Sequence, residues 1–135
     1  AYVARVQEAL RTVGRPRDQF TIDMWLRVSV DANEKKAIGD MRGSVGSSVL
    51  TEARSHGTYD FSEHLSPRAT HALGVSDEVV KAGAIVGDPG MVARTIRTLL
   101  DGLDVDRVTL TLSSRNRFER LRLLGQEVIP QIGLD

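Results

Sequence analysis

The 135-residue sequence contains no cysteine, which excludes disulfides and thiolate metal sites and suits a reducing interior such as the cytoplasm. Aromatic residues make up only 4%, too few for the stacking platforms that grip single-stranded nucleic acid. Charge of one sign is not in excess either. Eighteen basic side chains stand against eighteen acidic ones, and the pI is near 7.1, so neither nucleic acid nor an anionic membrane is expected as a partner held by bulk charge. No apolar run approaches the roughly 20 residues that span a bilayer. The opening stretch Ala1–Leu10 has no initiator Met and no basic-then-apolar export layout. What remains is an aliphatic chain of one domain's size, able to hide roughly two-thirds of its unfolded surface without covalent staples.

Apolar residues are spaced in two recognisable periods. Val3, Val6, Leu10 and Val13 recur at helical spacing, with no capping residue before them, and Gly14 followed by Pro16 ends that helix. Phe20, Ile22, Met24, Leu26, Val28 and Val30 then alternate with mostly polar neighbours, which predicts a strand over 20–30. Asp31 and Glu34 form a capping-box pattern that opens a second helix. The glycines at 39, 43 and 46 on that helix fit either close packing or a break. The pattern from Leu50 to Pro67 predicts a short helix and loop, and a further helix is expected from Pro67 to Lys81, interrupted near Gly74 and restarting at Ser76. Ala84-Ile85-Val86 is too short to classify. Asp88 and Pro89 launch a helix over Met91–Leu100, Gly102 stops it, Val108, Leu110 and Leu112 alternate as a second strand, and Phe118 to Ile129 closes the chain as a helix that Pro130 ends or kinks. This helix–strand alternation builds parallel α/β sheets. Two secure strands do not make a stable sheet unaided, so further strands are expected from upstream sequence or from another copy of the chain.

Several segments carry a family resemblance. Ile85-Val86-Gly87-Asp88-Pro89 before a helix, then Gly102-Leu103-Asp104-Val105-Asp106-Arg107-Val108-Thr109-Leu110, resembles the luciferase-like monooxygenase superfamily. The leucine-rich run Arg117–Leu124 into Glu127-Val128-Ile129-Pro130 is similar to that family's closing helix, and Val13-Gly14-Arg15-Pro16 before a strand fits too. The family usually writes Gly-Thr-Pro-Glu where this chain has Gly87-Asp88-Pro89-Gly90. The resemblance covers residues 1–135 as the C-terminal part of a TIM (β/α) barrel, incomplete in this chain. It implies an oxidoreductase that uses reduced FMN or coenzyme F-420 for hydride transfer or monooxygenation of a small organic substrate. With the uncapped first helix, it also predicts roughly 150–220 further residues upstream, and exposed strand edges predict a homo-oligomer. A non-catalytic α/β binding or assembly module that self-associates is the other function class left open.

Candidate site residues follow from where barrel enzymes work, at the C-terminal ends of strands, here the stretch after Val30 and Ser113-Ser114-Arg115 after Leu112. Ser113, Ser114 and Arg115 follow the second strand and are expected to face cofactor or substrate, with Arg115 suited to grip an anion through two hydrogen bonds. Lys81, seven residues before Asp88, resembles an anion-contacting lysine of sugar-phosphate dehydrogenases in the superfamily; from its spacing alone it reads as a solvated helix lysine. Gly87-Asp88-Pro89-Gly90 could receive a phosphate at a helix N-terminus, but the Asp88 carboxylate fits a plain capped turn better. His56, His64 and His71 match no metal or nucleophile–base spacing. No metal site and no catalytic residue is assigned.

Overall fold

The computed structural model describes residues 2–55, 75–114 and 116–133. The elements are α1 (Tyr2–Thr12), β1 (Asp23–Val30), α2 (Glu34–Ser55), α3 (Asp77–Gly83), β2 (Ile85–Gly87), α4 (Pro89–Leu100), β3 (Arg107–Leu112) and α5 (Arg117–Leu123). A wide π turn at Leu124–Val128 carries α5 on into α6 (Ile129–Ile132). That turn takes up the disturbance expected of Pro130, and Gly133, at φ +69°, ends the run.

The sheet is parallel, in the order β2-β1-β3. β3 pairs with β1 from Asp23 to Val28, so the two strands expected from alternation lie side by side. β2 pairs only with Val28–Val30, on the other edge. Short as it is, β2 does not take the place between β1 and β3 that its position in the chain suggests. The start of β1 is held by charge. Arg17 reaches Asp104 at 2.9 Å and Asp106 at 2.8 Å, while Asp106 accepts the Ile22 amide at 2.7 Å. This clamp and a 3-10 turn at Arg17–Gln19 delay regular strand to Asp23, although alternation begins at Phe20.

Alternation sends side chains to opposite faces of the sheet. On one face Val28 and Val30 pack with Val92, Ala93 and Ile96 of α4 and with Leu124, Val128 and Ile132. On the other, Val86, register partner of Ser29, packs with Ala37, Ile38, Met41 and Val45 of α2 and Val80 of α3. Each fully buried aliphatic side chain contributes roughly 1.5–3 kcal/mol. The C-terminal end of the sheet is thus covered on both faces. Its N-terminal half is bare on the α2 side, where Asp23, Trp25 and Arg27 are exposed.

The glycines of α2 do not break it, since the helix runs 22 residues. Its cap differs from expectation: Asn33, not Asp31, accepts the Lys36 amide. Ser76 caps α3 as predicted. The expected helix from Pro67 and most of the predicted loop lie outside the described residues. Among the described residues, no helix is long and apolar enough to cross a membrane.

Candidate functional site

The C-terminal ends of β1 and β3 lead into Asp31 and into Ser113-Ser114. Above them sits a buried polar cluster. Arg120 belongs to the stripe Arg120–Leu124–Val128–Ile132 that faces the sheet, so its guanidinium is driven inward and needs counter-charges. It bonds the Asp31 carboxylate and lies 3.6 Å from Asp40 on α2. Asp40 in turn accepts the Ser114 hydroxyl at 2.7 Å, and Ser114 Oγ accepts the Asn116 amide at 3.1 Å. The cluster ties α2, on one side of the sheet, to α5 on the other, directly over the strand ends.

Burial alone would push the Asp31 carboxyl up, but the Asn33 amide and the Arg120 charge outweigh it and hold the pKa below its ordinary 3.8. A carboxyl depressed in the folded state adds stability above its unfolded pKa and loses it as pH falls through the folded value. We therefore expect urea stability to drop as pH is lowered below about 4, the ordinary carboxyl value. Asp31→Asn should flatten that part of the profile; an unchanged profile would mean Asp31 is not linked to folding.

Beside the rim opens a cavity of about 880 Å³, lined by Lys81, Glu34, Thr111 and Ser113 together with Trp25 and Arg27 of β1. Lys81 Nζ pairs with Glu34 at 2.6 Å, and that hydrogen bond raises the lysine pKa. Lys81 is therefore a cation at neutral pH, fit to hold an anion and not to act as a base. Arg27 makes no ion pair among the described residues. Arg27 and Lys81 against Glu34 leave the cavity wall with one net positive charge.

The residues expected from sequence are thus divided. Lys81 and Ser113 meet in one cavity. Ser114 turns instead to Asp40, and Arg115 lies outside the described residues, as do His56, His64 and His71. Asp88 accepts the Met91 amide at 2.8 Å, so Gly87–Gly90 is a capped turn. Gly87 itself is required, with φ at +153° and a Cβ due to meet Met91 Sδ at 2.5 Å. Asp31 and Glu34 fall in the stretch expected after Val30, whereas Asp40, Arg120, Trp25 and Arg27 were not expected. A charged residue in an otherwise apolar stripe, as Arg120 is, was the signal available. Among the described residues no group of His, Asp or Glu could hold a metal ion.

The sequence matches no family's sequence profile and no curated protein. Solved structures do match. One is the coenzyme F-420-dependent tetrahydromethanopterin reductase from Methanopyrus kandleri, with TM-score 0.67 and 24% identity over 96% of this chain and 41% of that one. Another is an F-420-dependent secondary alcohol dehydrogenase in complex with an F-420–acetone adduct, with TM-score 0.70 and 18% identity over 96% of this chain and 38% of that one. The likeness is one of fold. The chain spans about two-fifths of the length of these two structures.

Proposed function

We propose that these residues are the C-terminal portion of a luciferase-like β/α barrel oxidoreductase. It would use coenzyme F-420, or failing that FMN, to move a hydride to or from a small organic substrate. The observation that supports this reading most is the fold likeness to two F-420-dependent enzymes over 96% of the chain. The donor set of the cavity agrees in part. Lys81, Arg27 and Ser113 suit the anionic end of such a cofactor, whereas no cradle for its ring is found among the described residues. The cofactor, when bound, carries the hydride. This chain's residues bind and orient: Lys81 and Ser113 hold an anionic group, and Arg120 and Asp40 fix the rim on which Ser113 stands.

The test is a titration of coenzyme F-420, and separately FMN, against the native protein containing these residues. Losing one charge-assisted contact costs roughly ten- to hundredfold in affinity. Lys81→Ala and Arg115→Ala should raise the dissociation constant or KM by that factor and leave Tm nearly unchanged. Unaltered constants in both variants would return Lys81 and Arg115 to the solvated surface. Failure of both cofactors to bind would sink the oxidoreductase reading.

A further inference from the structure

α3 has seven residues, too few to hold helical form unaided. It stands where α2 puts it. In its middle, Val80 is fully buried in the cluster formed by Ala37, Ile38, Met41 and Val45 of α2. Just past Lys81, Gly83 comes so close to α2 that a Cβ there would lie 3.0 Å from Val45 Cγ1. The two ends are tied by charge. At the start of α3, the Arg42 guanidinium donates to the Val75 carbonyl and to the Asp77 carboxylate. One turn later, on the same face as Asp77, Lys81 pairs with Glu34 at the start of α2. Each helix thus gives a cation to one tie and an anion to the other. That pattern fits the antiparallel arrangement, whereas a parallel one would set Arg42 against Lys81 and Glu34 against Asp77.

Lys81 lines the cavity and Arg42 does not. Apolar contact at Val80 alone tolerates a short helix rolling or sliding by part of a turn. A guanidinium that must meet a backbone carbonyl and a carboxylate at once resists such motion, because its fork is planar and rigid. We infer that Arg42 is a positioning residue: gripping Val75 and Asp77 from α2, it fixes where α3 stands and so holds Lys81 beside Glu34 on the cavity wall. Its consequence for ligand binding rests on the reading of that cavity as the anion site; the hold on Lys81 does not.

The test has two arms. In the first, the native protein containing these residues is titrated with coenzyme F-420 as wild type, Arg42→Ala, Lys81→Ala and the double variant. Arg42→Ala should weaken binding roughly two- to tenfold, less than Lys81→Ala does, and should add nothing once Lys81 is gone. Arg42→Lys, which keeps the charge and loses the fork, should fall in between. In the second arm, an alkaline titration of Lys81 followed by NMR of its side chain reads its position without any cofactor. The Glu34 hydrogen bond raises the lysine pKa above its ordinary 10.5, so a Lys81 released from Glu34 should titrate lower in Arg42→Ala. Loss of the Arg42 charge by itself pushes the other way, since it removes a repulsion and uncovers Asp77. A fall therefore reports movement. An unmoved or raised Lys81 midpoint in Arg42→Ala, or affinity losses that add in the double variant, would overturn the inference. Failure of the wild type to bind coenzyme F-420 would count against the cofactor reading alone, and the lysine titration would then decide this one.

Discussion

Arg120→Ala is expected to cost about 3–5 kcal/mol of folding stability, the range for removing one partner of a buried ion pair. The residue is only 9% exposed, and the side chain of Asp31, to which it bonds, is 13% exposed. Removing the guanidinium leaves Asp31 and Asp40, both at least half-buried, without the cation between them. At this chain length that corresponds to a drop in Tm of roughly 10–20 °C. Arg120→Lys should fall between, because an ammonium keeps the charge but lacks the planar fork that reaches two partners. The favourable part of the cluster is already reduced by Arg120 Nε, which is buried with no hydrogen-bond partner among the described residues. An apolar residue at 120 combined with Asp31→Asn and Asp40→Asn should therefore recover much of the loss. Denaturant melts at neutral pH decide this; a loss under about 1 kcal/mol in Arg120→Ala would show a solvated cluster.

The second large effect is expected at Met41, the largest of the fully buried side chains, in the core between α2 and the sheet. Met41→Ala should cost about 2–5 kcal/mol through lost transfer energy and the cavity left behind. Met41→Leu, close in volume, should cost under about 1.5 kcal/mol. Because Asp40 is the next residue on the same helix, loosening α2 also loosens its hold on Ser114. The signature is a Tm loss accompanied by faster hydrogen exchange at the Asn116 amide, which rests on Ser114 Oγ. A Tm loss with unchanged exchange there would separate the core from the rim.

What the sequence discloses is local. Six apolar residues in strict alternation identify β1, and Ser76 and Asp88 announce their helices because a cap acts within three residues. Pairings between distant residues leave no such trace. Asp31 reads as a helix cap from its neighbours, but its side chain answers to Arg120, 89 positions away. Asp40 and Ser114 are 74 positions apart. β2 is three residues long, too short for a period. The first three residues of the β1 alternation fall outside the strand because Arg17 and the acidic pair Asp104 and Asp106, far along the chain, set how Ile22 enters the sheet.

The rim and the cavity beside it bear on one question, whether these residues form part of a cofactor-binding barrel. The most direct measurement is the visible spectrum of the native protein that contains them, incubated with coenzyme F-420 or FMN and freed of unbound cofactor by gel filtration. The account predicts that the cofactor band co-elutes with the protein and weakens in Lys81→Ala. A protein that elutes colourless after incubation with either cofactor would contradict it.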